Sequence, residues 1–237
     1  MPAHSPFHVD AYLSLRSPYS YLALDRMRAM VERDEVRWNI KFVSPLAIRL
    51  PIHFKRQDPL ARPYFFRDSI RVAELLGIPF HRPQPDPIVQ DPVTLEIAAE
   101  QPYILALTRL GAVATRHGLA FAFAQEVMRM LWDGTIRGWN HGDHLQLAVG
   151  RAGLDLQEME REIAANPCAC DALIEQHERE QREVGHWGVP LFAFQGEPFF
   201  GQDRLDHLQW RLTRQHLQEP DDPANVSSNL HSKAATP

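Results

Sequence analysis

The chain has 237 residues, of which 44% are hydrophobic and 23% charged, a composition typical of a globular protein that buries a sizeable core. Its 25 Lys and Arg residues against 30 Asp and Glu residues give a net charge of -5, and the basic residues are scattered among acidic ones, which argues against a nucleic-acid partner. We find neither a basic segment followed by an apolar core at the start nor a run of ~18 apolar residues, so we expect no membrane insertion and a cytoplasmic location.

The first zone of the chain alternates strand-like and helix-like patterns. Residues 7–15 alternate apolar and polar side chains, which predicts a strand. Ser17-Pro18 is typical of a helix start, and helical spacing of apolar residues then continues to about Asp34. Residues 38–42 alternate again. Because a connection of this length forms a right-handed crossover, we expect the two strands to be parallel.

Helical patterns dominate the middle of the chain. A proline-containing loop after Pro45 leads to a helical stretch that closes at Gly77, and an extended proline-rich linker follows. Almost every segment from Val93 to Val184 then has helical periodicity, with predicted helices at 97–117, 119–131, 143–152, 156–165 and 168–183.

Two cysteines and one loop in this helical block are candidates for chemistry. Cys168 and Cys170 are too closely spaced for an unstrained disulfide and lack the second pair of a zinc site, so we interpret them as helix residues. The aromatic and glycine-rich loop at residues 132–144 is a candidate lining for a second-substrate pocket. Its histidines, His141 and His144, lie beside a cap-like Asn-x-Gly-Asp, which is more typical of surface residues than of a metal site, and we predict no metal.

Short strands return from Gly185. Two apolar segments flank a turn at residues 195–197, which predicts a hairpin. A final helix is predicted from Asp203. After Leu217 the sequence loses its periodicity, and we expect a disordered tail at residues 218–237.

The order of these elements predicts an α/β architecture. A βαβ half with a connecting helix covers residues 1–90, a helical insertion covers 91–184, and a hairpin followed by a helix covers 185–217. This order resembles a thioredoxin fold with a large all-helical insertion, as in DsbA-like proteins.

Three motifs carry a closer resemblance. Ser17-Pro18-Tyr19-Ser20 stands where the disulfide oxidoreductases of this superfamily have Cys-x-x-Cys, Gly188-Val189-Pro190 matches a loop with a cis proline, and Gly201-Gln202-Asp203-Arg204-Leu205 opens the last helix. Together they resemble the 2-hydroxychromene-2-carboxylate isomerases and the kappa-class glutathione transferases, over residues 7–215.

Each motif also has a purely structural interpretation. A lone Ser-Pro is more often a helix cap than a catalytic group, and Asp203 is equally well explained as the N-cap of the last helix. X-Pro bonds are cis in only ~5% of cases, so the cis state of Val189-Pro190 is implied by the resemblance alone.

Serine at this helix start changes the chemistry that the fold can perform. Dithiol exchange needs an attacking thiolate and a resolving thiol, and neither Ser17 nor Ser20 supplies one. A helix N-terminus with a hydroxyl still favours an anion, so a thiol bound there would ionise more easily. The resemblance implies that this thiol belongs to glutathione. It implies that Ser17 contacts the sulfur and that Val189, with Pro190 beside it, pairs with the main chain of the tripeptide. It also implies that Gln202 and Asp203 bind the γ-glutamyl end.

The chain departs from the family pattern before Tyr64. The family usually has a lysine three residues earlier, where this chain has Ala61. Arg62 is the nearest cation and the candidate replacement for a carboxylate contact, with Lys55 or Arg56 as alternatives. One position along a helix turns a side chain by about 100°, so the replacement is not a simple exchange.

These observations predict a glutathione-dependent isomerase that acts on a small aromatic or unsaturated carbonyl or carboxylate compound, with glutathione as a cofactor. Two alternatives stay open: a kappa-like glutathione transferase, and a non-catalytic binding or chaperone module that pairs the Val189-Pro190 edge with a peptide. The resemblance also implies a homodimer.

Overall fold

The computed structural model of the protein describes residues 6–52, 56–91, 93–94 and 96–218. The predicted tail lies outside these residues, apart from Gln218 at the end of the last helix, and so does Lys55. The elements in chain order are β1 (Phe7–Leu13), α1 (Pro18–Glu32), β2 (Val36–Phe42), α2 (Leu46–Arg49), α3 (Ala61–Leu76), α4 (Ile104–Arg116), α5 (Ala120–Trp132), α6 (His144–Arg151), α7 (Leu156–Ala165), α8 (Pro167–Glu183), β3 (Leu191–Phe194), β4 (Glu197–Phe200), a 3₁₀ turn (Gln202–Arg204) and α9 (Leu205–Gln218).

The strands form one mixed sheet in the order β2-β1-β3-β4. β1 is parallel to β2, as predicted, with Phe7 opposite Val36 and Leu13 opposite Phe42. β3 returns antiparallel to β1, and β4 completes a hairpin with β3. The α/β thioredoxin fold with a helical insertion is therefore confirmed.

The insertion and the sheet share one hydrophobic core. Alternate residues of β1 are buried in the same cluster as residues of α1, α9 and the inserted helices. Phe42 of β2 packs edge to face on Phe123 of α5, with ring centres 5.7 Å apart. Gly111 lets α4 approach the same ring, because a Cβ there would lie 2.7 Å from the Phe42 ring. The helices are thereby fixed against the carboxyl-terminal half of the parallel strands.

Most predicted boundaries agree with the structure, and one helix start is wrong. The last four predicted helices of the insertion match α5 to α8 to within one residue at each end, and α8 contains both cysteines, which are free. α4 begins at Ile104 instead of Ile97, which instead forms an isolated bridge with Gln90. The residue before a proline disfavours helical geometry, so a helix cannot run easily through Gln101-Pro102.

No helix within the described residues has the length and apolar character needed to cross a bilayer.

Candidate active site

Ser17 is the N-cap residue of α1, and its hydroxyl proton remains available for a hydrogen bond. Its backbone is extended, with φ -89° and ψ 118°, and its Oγ accepts a hydrogen bond from the Ser20 main-chain N–H at 3.2 Å. Pro18 follows at the first helical position, where its missing N–H costs nothing. Among the described residues the Ser17 hydroxyl donates to no acceptor. It can therefore act as a cap and still donate one hydrogen bond to a ligand.

Ser20, the second serine of the motif, is a structural residue. It is fully buried, and its Oγ accepts from the Ser14 main-chain N–H at 3.4 Å. The Ser14 hydroxyl beside it is also buried and finds no partner among the described residues. A ligand at the start of α1 therefore meets Ser17 and not Ser20.

The antiparallel pairing of β1 with β3 brings the Val189-Pro190 loop to Ser17. Tyr12 lies opposite Leu191, so the residues before β3 meet the residues after β1 at the same end of the sheet. The Val189-Pro190 peptide bond is cis. The main chain of Val189 forms no hydrogen bond with any described residue, whereas the Pro190 carbonyl accepts from the Gly201 N–H at 2.9 Å. Val189 therefore presents an unpaired backbone edge beside the helix start.

Two polar side chains fix this loop, the fully buried Gln181 and the partly buried Arg49, and the sequence motifs do not identify them. The Gln181 side-chain amide donates to the Gly188 carbonyl at 2.7 Å, while its Oε1 accepts from Arg49 at 2.9 Å. Arg49 also donates to the carbonyls of Ser44 and Trp187, at 2.7 and 3.1 Å. Burial lowers the pKa of Arg49. The partners lie about 130 residues apart in sequence, so no local pattern reveals the contact.

The start of the last helix also reaches α1. The carbonyl of the buried residue Gln202 accepts from Arg26 of α1 at 3.0 Å. Asp203 lies within the 3₁₀ turn, is exposed, and accepts from Arg204 at 2.7 Å. No side-chain capping bond forms at this turn, so the N-cap interpretation of Asp203 finds no support. Its carboxylate faces solvent on the side of Tyr19, whose pKa it helps to raise.

Helix α3 supplies an aromatic wall next to the helix start. The Tyr19 hydroxyl donates to Asp68 at 2.5 Å, and its ring packs edge to face on Phe65 at 5.1 Å. Burial raises the pKa of Tyr19, and the Asp68 carboxylate raises it further, so the phenol stays protonated. Tyr64 on the same helix is 56% exposed. An aromatic ligand could lie against these rings.

Arg16, which directly precedes Ser17, supplies a cationic group at the helix start. Arg16 binds Asp86 through two hydrogen bonds of 3.0 and 2.8 Å, and the same carboxylate accepts from the Ile88 N–H. Burial alone would raise the pKa of Asp86, but the contact with Arg16 outweighs it and lowers that pKa. Arg62 and Arg82 lie close to this pair.

The remaining candidates are an arginine before α3 and the 132–144 loop. Arg56 is exposed before α3, and the tryptophans of the 132–144 loop are buried, so they do not line an open pocket. The Trp132 indole donates to the Leu15 carbonyl at 2.9 Å and Trp139 to the Pro85 carbonyl at 2.8 Å. Within the described part of the chain, no group of His, Cys, Asp and Glu side chains is arranged to hold a metal ion. A cavity of about 110 Å³ lies along α1 beside Tyr21; Asp133 of the 132–144 loop lines it, whereas none of the residues predicted to bind glutathione does.

Known structures share this architecture at low sequence identity. A 2-hydroxychromene-2-carboxylate isomerase superposes with a TM-score of 0.65 and 22% identity, covering 91% of this chain and 100% of that one. A probable DsbA oxidoreductase from Streptomyces coelicolor gives 0.62 and 19%, covering 91% and 92%. The cytosolic disulfide reductase DsbM from Pseudomonas aeruginosa, solved with GSH, gives 0.53 and 16%, covering 87% and 100%. These likenesses show the fold.

The sequence comparisons agree with the fold. No curated protein sequence matches the chain significantly. The model of the DSBA-like thioredoxin domain family matches residues 8–213, a span that includes the Ser17 helix start, the cis-proline loop and the start of the last helix. The chain belongs to the DSBA-like thioredoxin domain family.

Proposed function

We propose that the protein is a glutathione-dependent isomerase of an aromatic or unsaturated carbonyl or carboxylate compound. The observation that carries this proposal is the Ser17 hydroxyl, which caps α1 and keeps its proton free at the place where the redox relatives have a thiol. Because this chain has no thiol there, the sulfur has to come with a ligand.

The helix start favours the ionised form of such a thiol. A free cysteine thiol has a pKa near 8.5, and helix N-termini are among the sites that lower it. The helix dipole contributes about 0.3–1 kcal/mol to an anion, and a hydrogen bond to a charged group contributes about 1.5–3 kcal/mol. Since about 1.4 kcal/mol corresponds to one pKa unit, Ser17 and its helix suffice to bring the thiol of glutathione into the physiological range.

The surrounding residues match the remaining parts of the tripeptide. The unpaired main chain of Val189, next to the cis Pro190, can pair with the extended backbone of glutathione. Asp203, with Gln202 beside it, provides a carboxylate for the γ-glutamyl ammonium group. Arg62 provides a cation for a carboxylate. The structure of DsbM with GSH indicates that this fold accommodates the tripeptide.

The reaction needs no other reagent. The thiolate adds to the conjugated carbon of the substrate, which turns the adjacent double bond into a single bond and places the electron pair on the carbonyl oxygen. The new single bond rotates, the electron pair returns, and the thiolate leaves with the double bond in its other geometry. Tyr19, Tyr64 and Phe65 supply an aromatic surface for the substrate ring.

A glutathione transferase would use the same thiolate and would stop at the adduct. A binding or chaperone module would use only the Val189 edge and would not ionise a thiol. We place the enzyme in the cytoplasm, where glutathione is reduced, and propose that it acts as a homodimer.

The test is the ultraviolet absorbance of the bound thiolate. We expect glutathione to bind the wild-type protein with its thiol ionised near neutral pH, and Ser17→Ala to raise the pKa of that thiol by about one to two units, because the hydrogen bond is lost. Asn166→Ala is the matched control. Asn166 caps α8 before Pro167 and accepts from the Ala169 N–H at 3.1 Å, so it loses an equivalent cap far from the site.

Both variants should lose about 1 kcal/mol of stability, the usual cost of a missing cap. Only Ser17→Ala should change the thiolate signal. If the wild-type protein does not bind glutathione at millimolar concentration, the isomerase and transferase proposals are both wrong.

A further inference from the structure

Two arginines share one aromatic ring beside the helix start. The guanidinium carbon of Arg82 lies 4.3 Å from the centre of the Phe66 ring, and that of Arg62 lies 5.8 Å from the same centre. Arg62 comes from the first turn of α3, whereas Arg82 comes from the proline-rich linker after it. The two cations are therefore held together by tertiary structure and not by sequence proximity.

Among the described residues, the one carboxylate that forms ion pairs with these arginines is that of Asp86, and it is already occupied. Both oxygens of Asp86 accept hydrogen bonds from Arg16, and one also accepts from the Ile88 N–H. Arg82 approaches this carboxylate only to 3.7 Å, and Arg62 forms no ion pair with any described residue. Three guanidinium groups thus share one negative charge.

Guanidinium groups gathered around one ring repel each other unless an anion lies between them. Burial lowers the pKa of Arg62, and the neighbouring charges of Arg16 and Arg82 lower it further against the opposing effect of Asp86. The Phe66 ring attracts cations with about 0.5–1 kcal/mol at an exposed site, but it does not neutralise them. The Arg82 side chain remains 52% exposed, so a ligand can reach the pair from solvent.

We propose that Arg62 and Arg82, positioned on Phe66, bind one carboxylate group of a ligand at the Ser17 site. The planar guanidinium group matches a carboxylate through paired hydrogen bonds, and a ligand carboxylate offsets part of the positive charge that Asp86 alone leaves unbalanced. The carboxylate has two possible sources in the proposed reaction: the glycine end of glutathione, or an acid group on the second substrate. The identity of the ligand rests on the proposed function, whereas the carboxylate site itself does not.

Calorimetric titration of single variants tests the site. The probes are glutathione, its glycine ethyl ester, trans-cinnamate as an unsaturated aromatic acid, and cinnamamide as its uncharged counterpart. The variants are Arg82→Gln and Arg62→Gln, with Arg71→Gln as the control because Arg71 is an exposed arginine of the same helix. We expect the two site variants to weaken carboxylate binding about tenfold or more, as the loss of a charge-assisted hydrogen bond requires, and the control to have no effect.

The probes separate the two sources. If glutathione supplies the carboxylate, its ester binds the wild-type protein as weakly as glutathione binds Arg82→Gln. If the second substrate supplies it, glutathione affinity is unchanged and the preference for cinnamate over cinnamamide disappears in Arg82→Gln. Unchanged affinities for all probes in both site variants overturn the proposal, as does an equal loss in Arg71→Gln or no binding of any carboxylate to the wild-type protein.

The experiments can refute the carboxylate site and the proposed function independently of each other. Cinnamate binding that depends on Arg82, in a protein that does not bind glutathione, supports the carboxylate site and refutes glutathione activation. If the thiolate signal depends on Ser17 but no arginine variant changes the affinity for any probe, glutathione activation is supported and the carboxylate site is refuted.

Discussion

Replacing Gln181 with methionine should loosen the loop that presents Val189. Methionine has a similar volume but forms neither of the two hydrogen bonds of Gln181, so the Gly188 carbonyl and one Arg49 N–H lose their partner. Each unpaired buried group costs about 1–3 kcal/mol, and Gln181 is fully buried. We therefore expect Gln181→Met to lower the free energy of unfolding by about 2–5 kcal/mol in urea titrations.

The same substitution should weaken glutathione binding, because Val189 directly follows the released carbonyl. Gln101→Met is the matched control. Gln101 is 7% exposed, and its amide donates to the carbonyls of Val89 and Ala98 and accepts from the Val89 N–H, in a segment remote from the loop. It should lose comparable stability and bind glutathione normally. A change in unfolding free energy below about 0.5 kcal/mol in Gln181→Met, or an equal loss of affinity in Gln101→Met, would refute this reasoning.

Two further predictions concern packing and pH. Gly188→Ala should destabilise the protein by about 1–3 kcal/mol in urea titrations, because the new Cβ would lie 2.3 Å from the Phe200 ring; wild-type stability would mean that this ring moves freely. His177 is 4% exposed, its Nδ1 lies 3.0 Å from the Phe42 carbonyl, and burial lowers its pKa. The unfolded chain takes up this proton below about pH 6.5 and the folded protein takes it up only at a lower pH, so the contribution of His177 to stability is present above about pH 6.5 and is lost as pH falls. Denaturation curves of His177→Asn should consequently show a weaker pH dependence between about pH 7.5 and 5.5 than the wild type, and an unchanged slope would contradict this assignment.

Local patterns in the sequence account for the elements that local physics controls. The start of α1 follows from Ser17 and Pro18, because a cap and a proline at the first helical position act within four residues. The end of α3 follows from Gly77, whose φ of 66° suits a left-handed cap. The apolar periodicity predicts a helix start at Ile97, but α4 begins at Ile104. Pro102 is the reason, because a proline disfavours helical geometry in the residue before it.

Tertiary contacts decide the parts of the site that the sequence did not predict. Gln181 lies in an otherwise ordinary amphipathic helix, and its role appears only when α8 packs beside Arg49. Arg62 was predicted as a cation near the family lysine position, but its partnership with Arg82 depends on how the proline-rich linker returns over Phe66. Spacing in the sequence cannot report such encounters, because each partner belongs to a different element.

Under the proposed function, a hydroxyl where the redox relatives have a thiol gives the same scaffold a second chemistry. The Ser17 hydroxyl is a poor nucleophile toward sulfur, yet it caps α1 and keeps the proton that we propose stabilises a bound thiolate. Ser20 is buried, is engaged with Ser14 and has no thiol, so this motif offers no second group that could resolve a disulfide. An external thiol carrier would need an extended backbone for Val189 and a carboxylate for the arginine pair. A tripeptide thiol has both features, whereas cysteine has a carboxylate but no extended peptide backbone, and this difference favours glutathione over smaller thiols as the proposed partner of Ser17.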